Sequence, residues 1–328
     1  MASPSQEMML FNPSSETLAS EPTPAMAWEQ DAAKRALDEL FSLTFRYKTS
    51  KSYQELLRFV SGFRFYSPFN AMLVHIQMSG ATFVAPPHRW LREYGRSIKP
   101  NARPLVILQP MGPVMFVFDA SDTEPVGGAQ RLPLEVENPF EVRHGNAGGR
   151  LEEVIENAKR DGVRITQSRG GSQSAGSMRL VDAGVLLSQQ FQAGSDKDRK
   201  PVVVAVPVRY DLVVNANHSR EAQYVTISHE LAHLYCGHLG TPDKRWRPDR
   251  LGLDRDIQES EAESLAFLVC ARSGIGNPSE TYLASYVQDQ ERVLPISLDC
   301  VMKAAGLIET MSQQRMMPRK ASKDGPGG

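Results

Sequence analysis

The stretch YVTISHELAHLYCGHL, residues 224–239, determines how the carboxy-terminal half of the chain folds. Its apolar residues recur every three or four positions, which predicts an amphipathic helix over 224–239. His229 and His233 are four residues apart and therefore share one face of that helix, with Glu230 beside them. Two imidazoles placed in this way can bind one Zn²⁺, while the glutamate can take a proton from water on the metal. The HExxH motif therefore predicts a metal site on a helix.

A third ligand is expected further along the chain, because catalytic zinc sites commonly combine three protein ligands with one open position. Residues 259–263 read ESEAE at the start of a helix predicted over 259–273. One face of this helix can supply Glu259 as a ligand and Glu263 as a carboxylate that orients a ligating histidine. Glu261 points elsewhere, yet three glutamates in so short a segment leave Glu261 and Glu263 open as alternative ligands. The same glutamates would also stabilise the start of a helix without any metal.

His238 lies five residues after His233, which is about 140° around a continuous helix. On that helix it is a poor direct ligand, and we expect it to support the ligands from behind or to serve the fold. Contact with the substrate or the oxyanion is the alternative. Arg272, Tyr282 and Tyr286 lie on later predicted helices and are further candidates for stabilising the oxyanion, among which the sequence does not choose.

These motifs together resemble the ImmA/IrrE family of zinc metallopeptidases, over residues 151–311. The resemblance rests on His229–His238, on the ExxAE motif of Glu259–Glu263 and on the Leu265-Ala266-Phe267 that follows. The catalytic domains of ArdC-type antirestriction proteins are similar. The resemblance implies one Zn²⁺ per chain, bound by His229, His233 and Glu259. It also implies that Glu230 is the general base and that Glu263 is the carboxylate that orients a ligating histidine. Mn²⁺ or Fe²⁺ could occupy the same set of ligands.

The amino-terminal half has a local excess of positive charge, although the net charge of the whole chain is −1. Residues 46–103 contain ten Lys and Arg side chains against two glutamates, with aromatic residues interleaved. Cations that follow phosphates and rings that stack on bases are typical of proteins that bind single strands. The alternative is an aromatic core beneath a solvated charged face. The candidate nucleic-acid contacts are Arg89, Trp90, Arg92, Arg96, Lys99 and Arg103.

Residues 66–124 resemble the amino-terminal, single-stranded-DNA-binding domain of ArdC-type proteins. The features that carry this resemblance are Asn70–Leu73, Phe83-Val84, Trp90, Gly95, Lys99-Pro100, the predicted strand Pro104–Leu108 and Phe118–Ser121. The segment Lys99–Arg103 reads KPNAR, where those proteins usually have a Lys-Gly-Glu-Lys turn. It carries fewer charges, which weakens the expectation of DNA affinity and leaves the expected fold intact.

The order of predicted elements gives an α+β fold, in which a small amino-terminal α/β domain precedes a zincin-like domain with a short sheet and then helices. We expect a disordered leader over 1–27, an ArdC-like domain over 28–130, a Pro- and Gly-rich linker over 131–150, a metallopeptidase domain over 151–316 and a disordered tail over 317–328. Strands of the metallopeptidase domain are predicted at 163–167, 179–181, 202–208 and 210–215. Its helices are predicted over 151–160, 224–239, 259–273, 279–292 and 297–310.

The chain shows no sign of membrane insertion or secretion. No stretch approaches 18 consecutive apolar residues, and the first 27 residues lack the positive start and apolar middle of a signal peptide. We therefore expect a cytoplasmic protein. Cys236, Cys270 and Cys300 are odd in number and form no CxxC pair, which disfavours a disulfide scaffold or a thiolate zinc knuckle. They are expected to be reduced and partly buried.

Two functions of different class are consistent with these motifs. The one we favour is a zinc-dependent endopeptidase that hydrolyses peptide bonds of a protein substrate, such as a transcriptional repressor, another DNA-binding regulator or a defence protein. The alternative is an antirestriction or stress protein that binds single-stranded DNA and whose metal site is structural. Glu230 favours the enzyme, because a structural site has no need of a base beside the water.

Overall fold

The computed structural model describes residues 50–109, 112–127, 132, 146–169, 176–181, 187–195, 201–275 and 294–319. Within them the structure is mixed α and β, with seven α-helices and several small sheets, as the predicted class requires. The helices are α1 (Ser50–Gly62), α2 (Pro68–Gln77), α3 (Pro87–Tyr94), α4 (Arg150–Arg160), α5 (Arg220–Tyr235), α6 (Arg255–Arg272) and α7 (Leu298–Met311). The strands are β1 (Val84–Ala85), β2 (Arg96–Ile98), β3 (Leu105–Gln109), β4 (Gly112–Asp119), β5 (Thr123–Pro125), β6 (Val163–Ser168), β7 (Gly176–Leu180), β8 (Ser188–Ser195), β9 (Pro201–Pro207) and β10 (Tyr210–Asn215).

A three-stranded sheet supports α5, the helix that carries HExxH. Its strand order is β6-β10-β7, with β10 parallel to β6 and antiparallel to β7. Strand β10 reads YDLVVN and is almost entirely buried, which suits a central strand covered on both faces. Leu212 and Val214 of this strand lie in one cluster of buried side chains with Ile227 and Leu231 of α5. The sheet therefore fixes α5 from below, and β7 forms one of its edges.

The three helices of the carboxy-terminal half each begin at a side-chain cap. The hydroxyl or carboxylate of the residue before each helix accepts a hydrogen bond from a backbone amide of the first turn, in the pairs Ser219 with Ala222, Asp254 with Asp256 and Ser297 with Cys300. Such caps satisfy amides that have no partner within the helix. Helices α5 and α6 pack against each other, and α7 packs against both. This packing brings the histidines of α5 opposite the glutamates of α6.

In the amino-terminal half, α1 packs against α2, and α2 packs against strand β3 of the β3–β4 hairpin. Ser67 caps α2, and Pro68 occupies its first turn, where a missing backbone N–H costs nothing. Strand β3 lies at the edge of its sheet, order β1-β4-β3. Two side-chain amides from α2 bind the backbone of this edge, Asn70 at Leu108 and Gln77 at Val106. They take the place of a neighbouring strand and satisfy its free groups.

The two halves share one hydrophobic core. A single cluster of buried side chains includes Tyr53 and Leu57 of α1 together with Leu265 and Val269 of α6. The Tyr53 hydroxyl donates to the hydroxyl of Ser264 in α6 at 2.6 Å. At the other end of α6, the Arg272 guanidinium donates to the carbonyls of Val60 in α1 and of Phe63 and Tyr66 just after it. The same guanidinium donates to the carboxylate of Glu309 in α7. Helix α6 is thus held by the amino-terminal helices on the side away from α5.

Most predicted elements agree with the structure to within a few residues. The prediction missed β8, whose sequence SQQFQAGS lacks an apolar alternation and which, within the described part of the chain, pairs with β9. The helix predicted over 279–292 lies outside the described residues, as do residues 1–49, most of 131–145 and 320–328, so the domain boundaries stay predictions. Among the described residues, Cys236 and Cys270 are buried free thiols and Cys300 is a partly buried one. No helix in the described part of the chain is long and apolar enough to cross a membrane.

Candidate metal centre

Three potential ligand atoms converge between α5 and α6. The Nε2 atoms of His229 and His233 are 3.2 Å apart, as their spacing on one helix face predicts. Oε2 of Glu259 lies 3.4 Å from Nε2 of His229 and 3.7 Å from Nε2 of His233. Three ligands held about 2.0 to 2.1 Å from a tetrahedral zinc ion would lie about 3.3 Å from one another. The donor set and its separations therefore fit a single divalent metal ion with one position left open.

The three glutamates of α6 have different surroundings. Glu259 is the one whose oxygen joins both histidines, and these rings hold the pKa of its carboxyl well below its usual range. Oε1 of Glu263 lies 3.4 Å from Nδ1 of His229, on the ring atom that faces away from the ligand cluster. Glu261 is fully buried on another side of the helix. The geometry therefore favours Glu259 over Glu261 and Glu263 as the third ligand and puts Glu263 where an orienting carboxylate is expected.

Glu230 lies beside the ligand cluster without belonging to it. Burial raises the pKa of its carboxyl, against the opposing effect of His229 and His233. The backbone amide of Met178 in the edge strand β7 also acts to lower the pKa of this carboxyl, which places the amide beside it. A carboxyl whose pKa has moved towards neutrality is suited to take up and release a proton. The edge strand therefore passes next to the group that would act as general base.

His238 does not lie on the helix that the sequence predicts for it. Helix α5 ends at Tyr235 rather than Leu239, and Gly237 has a left-handed backbone with φ of +81°. The turn brings the His238 amide to the carbonyl of His233 at 2.9 Å and its Nδ1 to 3.0 Å from Nδ1 of His233. The estimate of 140° around the helix was therefore wrong as geometry. The expectation that His238 supports the ligands from behind agrees with its contacts.

A buried hydrogen-bond network continues beyond His238. Its Nε2 is 2.8 Å from Oε2 of Glu261, and both side chains have no solvent-exposed surface. The two oxygens of Glu261 also accept from Nη1 and Nη2 of Arg250 at 2.6 and 2.7 Å, and Oε1 accepts from the Ser297 amide at 2.6 Å. No sequence motif points to Arg250, which lies in the loop between α5 and α6. The signal available was Gly237, a helix-ending residue that detaches His238 from α5.

The candidate nucleic-acid contacts differ in how far they are exposed to solvent. Trp90 is fully buried, with its ring against Phe83 and Tyr94 and its indole N–H donating to the carbonyl of Phe118. Its assignment as a base-stacking residue was wrong, because a buried ring cannot stack on a base.

The charged candidates lie nearer the surface. Arg89 forms a salt bridge with Glu93, Arg96 donates to Thr123, and Lys99 donates to the carbonyl of Ser121. Arg92, Lys99 and Arg103 are exposed. Of the oxyanion candidates, Arg272 is committed to the contacts around α1 and α7, which overturns that role, whereas Tyr282 and Tyr286 lie outside the described residues.

Comparison with known protein families finds a similarity for the segment that carries the candidate metal ligands. Residues 184–270 match the model of the Peptidase_M78 family, described as the IrrE N-terminal-like domain. The matched segment contains both histidines, Glu230 and all three glutamates of α6, and it confirms the resemblance inferred from HExxH and ExxAE. It indicates a metallopeptidase, a hydrolase of peptide bonds that uses a metal ion.

The comparisons add one solved structure. The metal-free crystal structure of the antirestriction protein ArdC from plasmid R388 is similar over 75% of this chain and 82% of that chain, with 14% identity and a TM-score of 0.32. No curated protein matches this chain.

Proposed function

We propose that this chain is a zinc-dependent endopeptidase that hydrolyses peptide bonds of a protein substrate, with Glu230 as the general base. One observation carries the proposal: the ligating atoms of His229, His233 and Glu259 converge with the separations of a tetrahedral site, and Glu230 stands beside them outside the ligand set. A purely structural metal site has no need of a carboxyl in that position. The arrangement therefore supports hydrolysis.

The residues divide the reaction between them. Zn²⁺ in this site would lower the pKa of a water molecule towards about 7 and polarise the scissile carbonyl. Glu230 accepts a proton from the water molecule as the water oxygen forms a bond to the carbonyl carbon. The carboxyl then donates this proton to the nitrogen of the leaving amine as the C–N bond breaks, and Glu230 returns to the carboxylate. Glu263 holds the His229 ring by its Nδ1 throughout.

The edge strand β7 is the proposed binding surface for the substrate. Among the described residues, β7 pairs with β10 along one side only, and the Met178 amide contacts Glu230. An extended peptide can add to such an edge through main-chain hydrogen bonds. This geometry favours an extended segment of a protein over a small molecule. A transcriptional repressor, another DNA-binding regulator or a defence protein is the partner class we propose.

The proposal is tested with metal content and cleavage measured on the same variants. Elemental analysis should find about one zinc per wild-type chain, less in Glu259→Ala, and an unchanged amount in Glu230→Gln. Cleavage is followed by mass spectrometry of new peptide termini in a bacterial lysate. Wild type should produce new termini, whereas Glu230→Gln should lose them. Glu221→Gln, the same chemical change in the first turn of the same helix, is the matched control and should still cut.

The opposite outcome favours the alternative function. Zinc bound by His229, His233 and Glu259 without any cleavage that depends on Glu230 would indicate a structural site. The single-stranded-DNA-binding function would then be tested on Arg92 and Arg103, two of the three exposed candidates. Their replacement by glutamate should lower both the affinity for an oligonucleotide and its dependence on salt.

A further inference from the structure

We propose that Glu261 positions the zinc ligand His233 through a relay that passes across His238, so that Nδ1 of His233 carries the proton and Nε2 is free to bind metal. The inference rests on the proposed function and concerns how the chain prepares its ligand. Glu261 and His238 would touch neither metal nor substrate, and both are therefore positioning residues.

The relay begins at a carboxylate whose ionisation state is set by its donors. Arg250 donates to both oxygens of Glu261, and the Ser297 amide donates to Oε1. These donors require acceptor lone pairs, so Glu261 is a carboxylate and has no proton to give. Its remaining contact is Nε2 of His238 at 2.8 Å. Nε2 of His238 must therefore be the protonated nitrogen of that ring.

The direction of the second hydrogen bond follows from the first. The His238 ring has no exposed surface and Arg250 already balances the charge of Glu261, so a further buried charge would be costly and the ring is neutral. A neutral imidazole has one N–H and one lone pair, so Nδ1 of His238 is an acceptor. Nδ1 of His233 is 3.0 Å away and must donate to it. This leaves a lone pair on Nε2 of His233, the atom that lies 3.2 Å from Nε2 of His229 and 3.7 Å from Glu259. The reverse order would place a proton on Nε2 of His233, in the space that a metal needs.

Both histidine ligands are then oriented by carboxylates, at different range. His229 has Glu263 directly at its Nδ1, at 3.4 Å. His233 reaches Glu261 only across the His238 ring, because α6 carries Glu261 on a different side from Glu259 and Glu263. The turn at Gly237 inserts the ring that spans this gap. Carboxylates behind ligating histidines typically contribute a factor of 10 to 100 to metal affinity.

A second metal site is the competing explanation for the same cluster. Cys236, His238 and Glu261 place potential ligand atoms close to one another, and all three residues are buried. The two N–H groups of Arg250 already occupy both oxygens of Glu261 and place a positive charge against them. A cation at this position would be repelled by the guanidinium and would have to displace it. The contacts therefore favour the relay.

The test compares zinc affinities of variants by competition with a chromogenic chelator. His238→Phe removes the acceptor for His233 but leaves Glu261 with Arg250 and Ser297, and should weaken zinc binding about 10- to 100-fold. His238→Asn can place an amide oxygen where Nδ1 was and should recover part of this loss. Cys236→Ala is the matched control in the same buried cluster and should bind one zinc with the affinity of wild type. Circular dichroism of the metal-free variants checks that each is folded.

The proton on His233 is read independently in metal-free protein. Long-range ¹H–¹⁵N correlation of ¹⁵N-histidine-labelled wild type should show His233 protonated at Nδ1 and His238 at Nε2. This measurement needs no zinc and no substrate, so it separates failure of the relay from failure of the proposed peptidase, and it decides the matter even where His238→Phe does not fold. The relay is overturned by an Nε2-protonated His233, by a folded His238→Phe with affinity within threefold of wild type, or by a second zinc that Cys236→Ala removes.

Discussion

Replacing Gly237 with alanine should destabilise the protein by about 2 to 4 kcal/mol. A left-handed backbone costs an alanine about 1 to 2 kcal/mol, and φ at this position is +81°. A Cβ added here would lie 2.1 Å from the carbonyl oxygen of Pro248, a backbone atom that cannot move aside cheaply, and such overpacking costs about 1 to 3 kcal/mol. The stiffer unfolded chain offsets about 0.4 to 1 kcal/mol of this.

The assay is urea unfolding followed by circular dichroism, with Gly252→Ala as the control. A Cβ at Gly252 meets nothing within 4 Å, so that variant should stay within about 0.5 kcal/mol of wild type. Gly237→Ala should also weaken zinc binding, because the carbonyl of Gly237 accepts from the Arg250 amide and the turn carries His238. A loss below about 1 kcal/mol, or one equal to that of Gly252→Ala, would refute the reasoning.

Two further predictions concern charged groups away from the metal. Arg272→Met should cost about 3 to 5 kcal/mol in urea unfolding, because it leaves a largely buried carboxylate and three carbonyls without their donor. Arg64→Met, which loses hydrogen bonds to two carbonyls, should cost less, and equal losses would contradict this account. The Arg164 guanidinium holds the pKa of Asp211 below its usual range, so the stability gained from this pair is complete above about pH 4 and is lost as the pH falls through the lowered pKa of the folded state. The difference in unfolding free energy between wild type and Asp211→Asn should therefore shrink below about pH 4, and a constant difference down to pH 2 would exclude the pair as its cause.

Local periodicity was sufficient to predict that the two candidate histidine ligands lie side by side. His229 and His233 meet because residues four apart on a helix are neighbours, a rule that needs no tertiary information. Glu259 could be named as a candidate because the same rule orders the glutamates of α6. Which of the three faces the histidines depends on how α6 packs on α5, and the sequence alone left that choice open. The same packing sets the separation of 3.4 Å between Glu259 and His229.

The relay and the fate of Trp90 lay beyond such rules. His238 was expected on a continuous helix, and only the left-handed turn at Gly237 explains why its ring returns to His233. Arg250 comes from an irregular loop whose path no periodicity reports. Trp90 lies among basic residues in the sequence, as a base-stacking residue would, but an aromatic ring in such a segment can face either the interior or the solvent. The hydrogen bond to Phe118 and the packing against neighbouring rings decide for the interior.

The attachment of α6 to the amino-terminal helices limits how far α6 can rotate about its own axis, and therefore where Glu259 lies. Carboxylates on a helix lie about 5 to 6 Å from its axis, so turning α6 by about 2° would move Glu259 by about 0.2 Å, the tolerance of a metal–ligand distance. The Tyr53 hydroxyl donates a hydrogen bond to Ser264, which follows the three glutamates, and Arg272 in the last turn of α6 donates to the carbonyl of Phe63. These two attachments, at separate points along α6, restrict the rotation of the helix about its own axis. The amino-terminal half thereby sets the bond lengths available at the proposed zinc site without contributing a ligand to it.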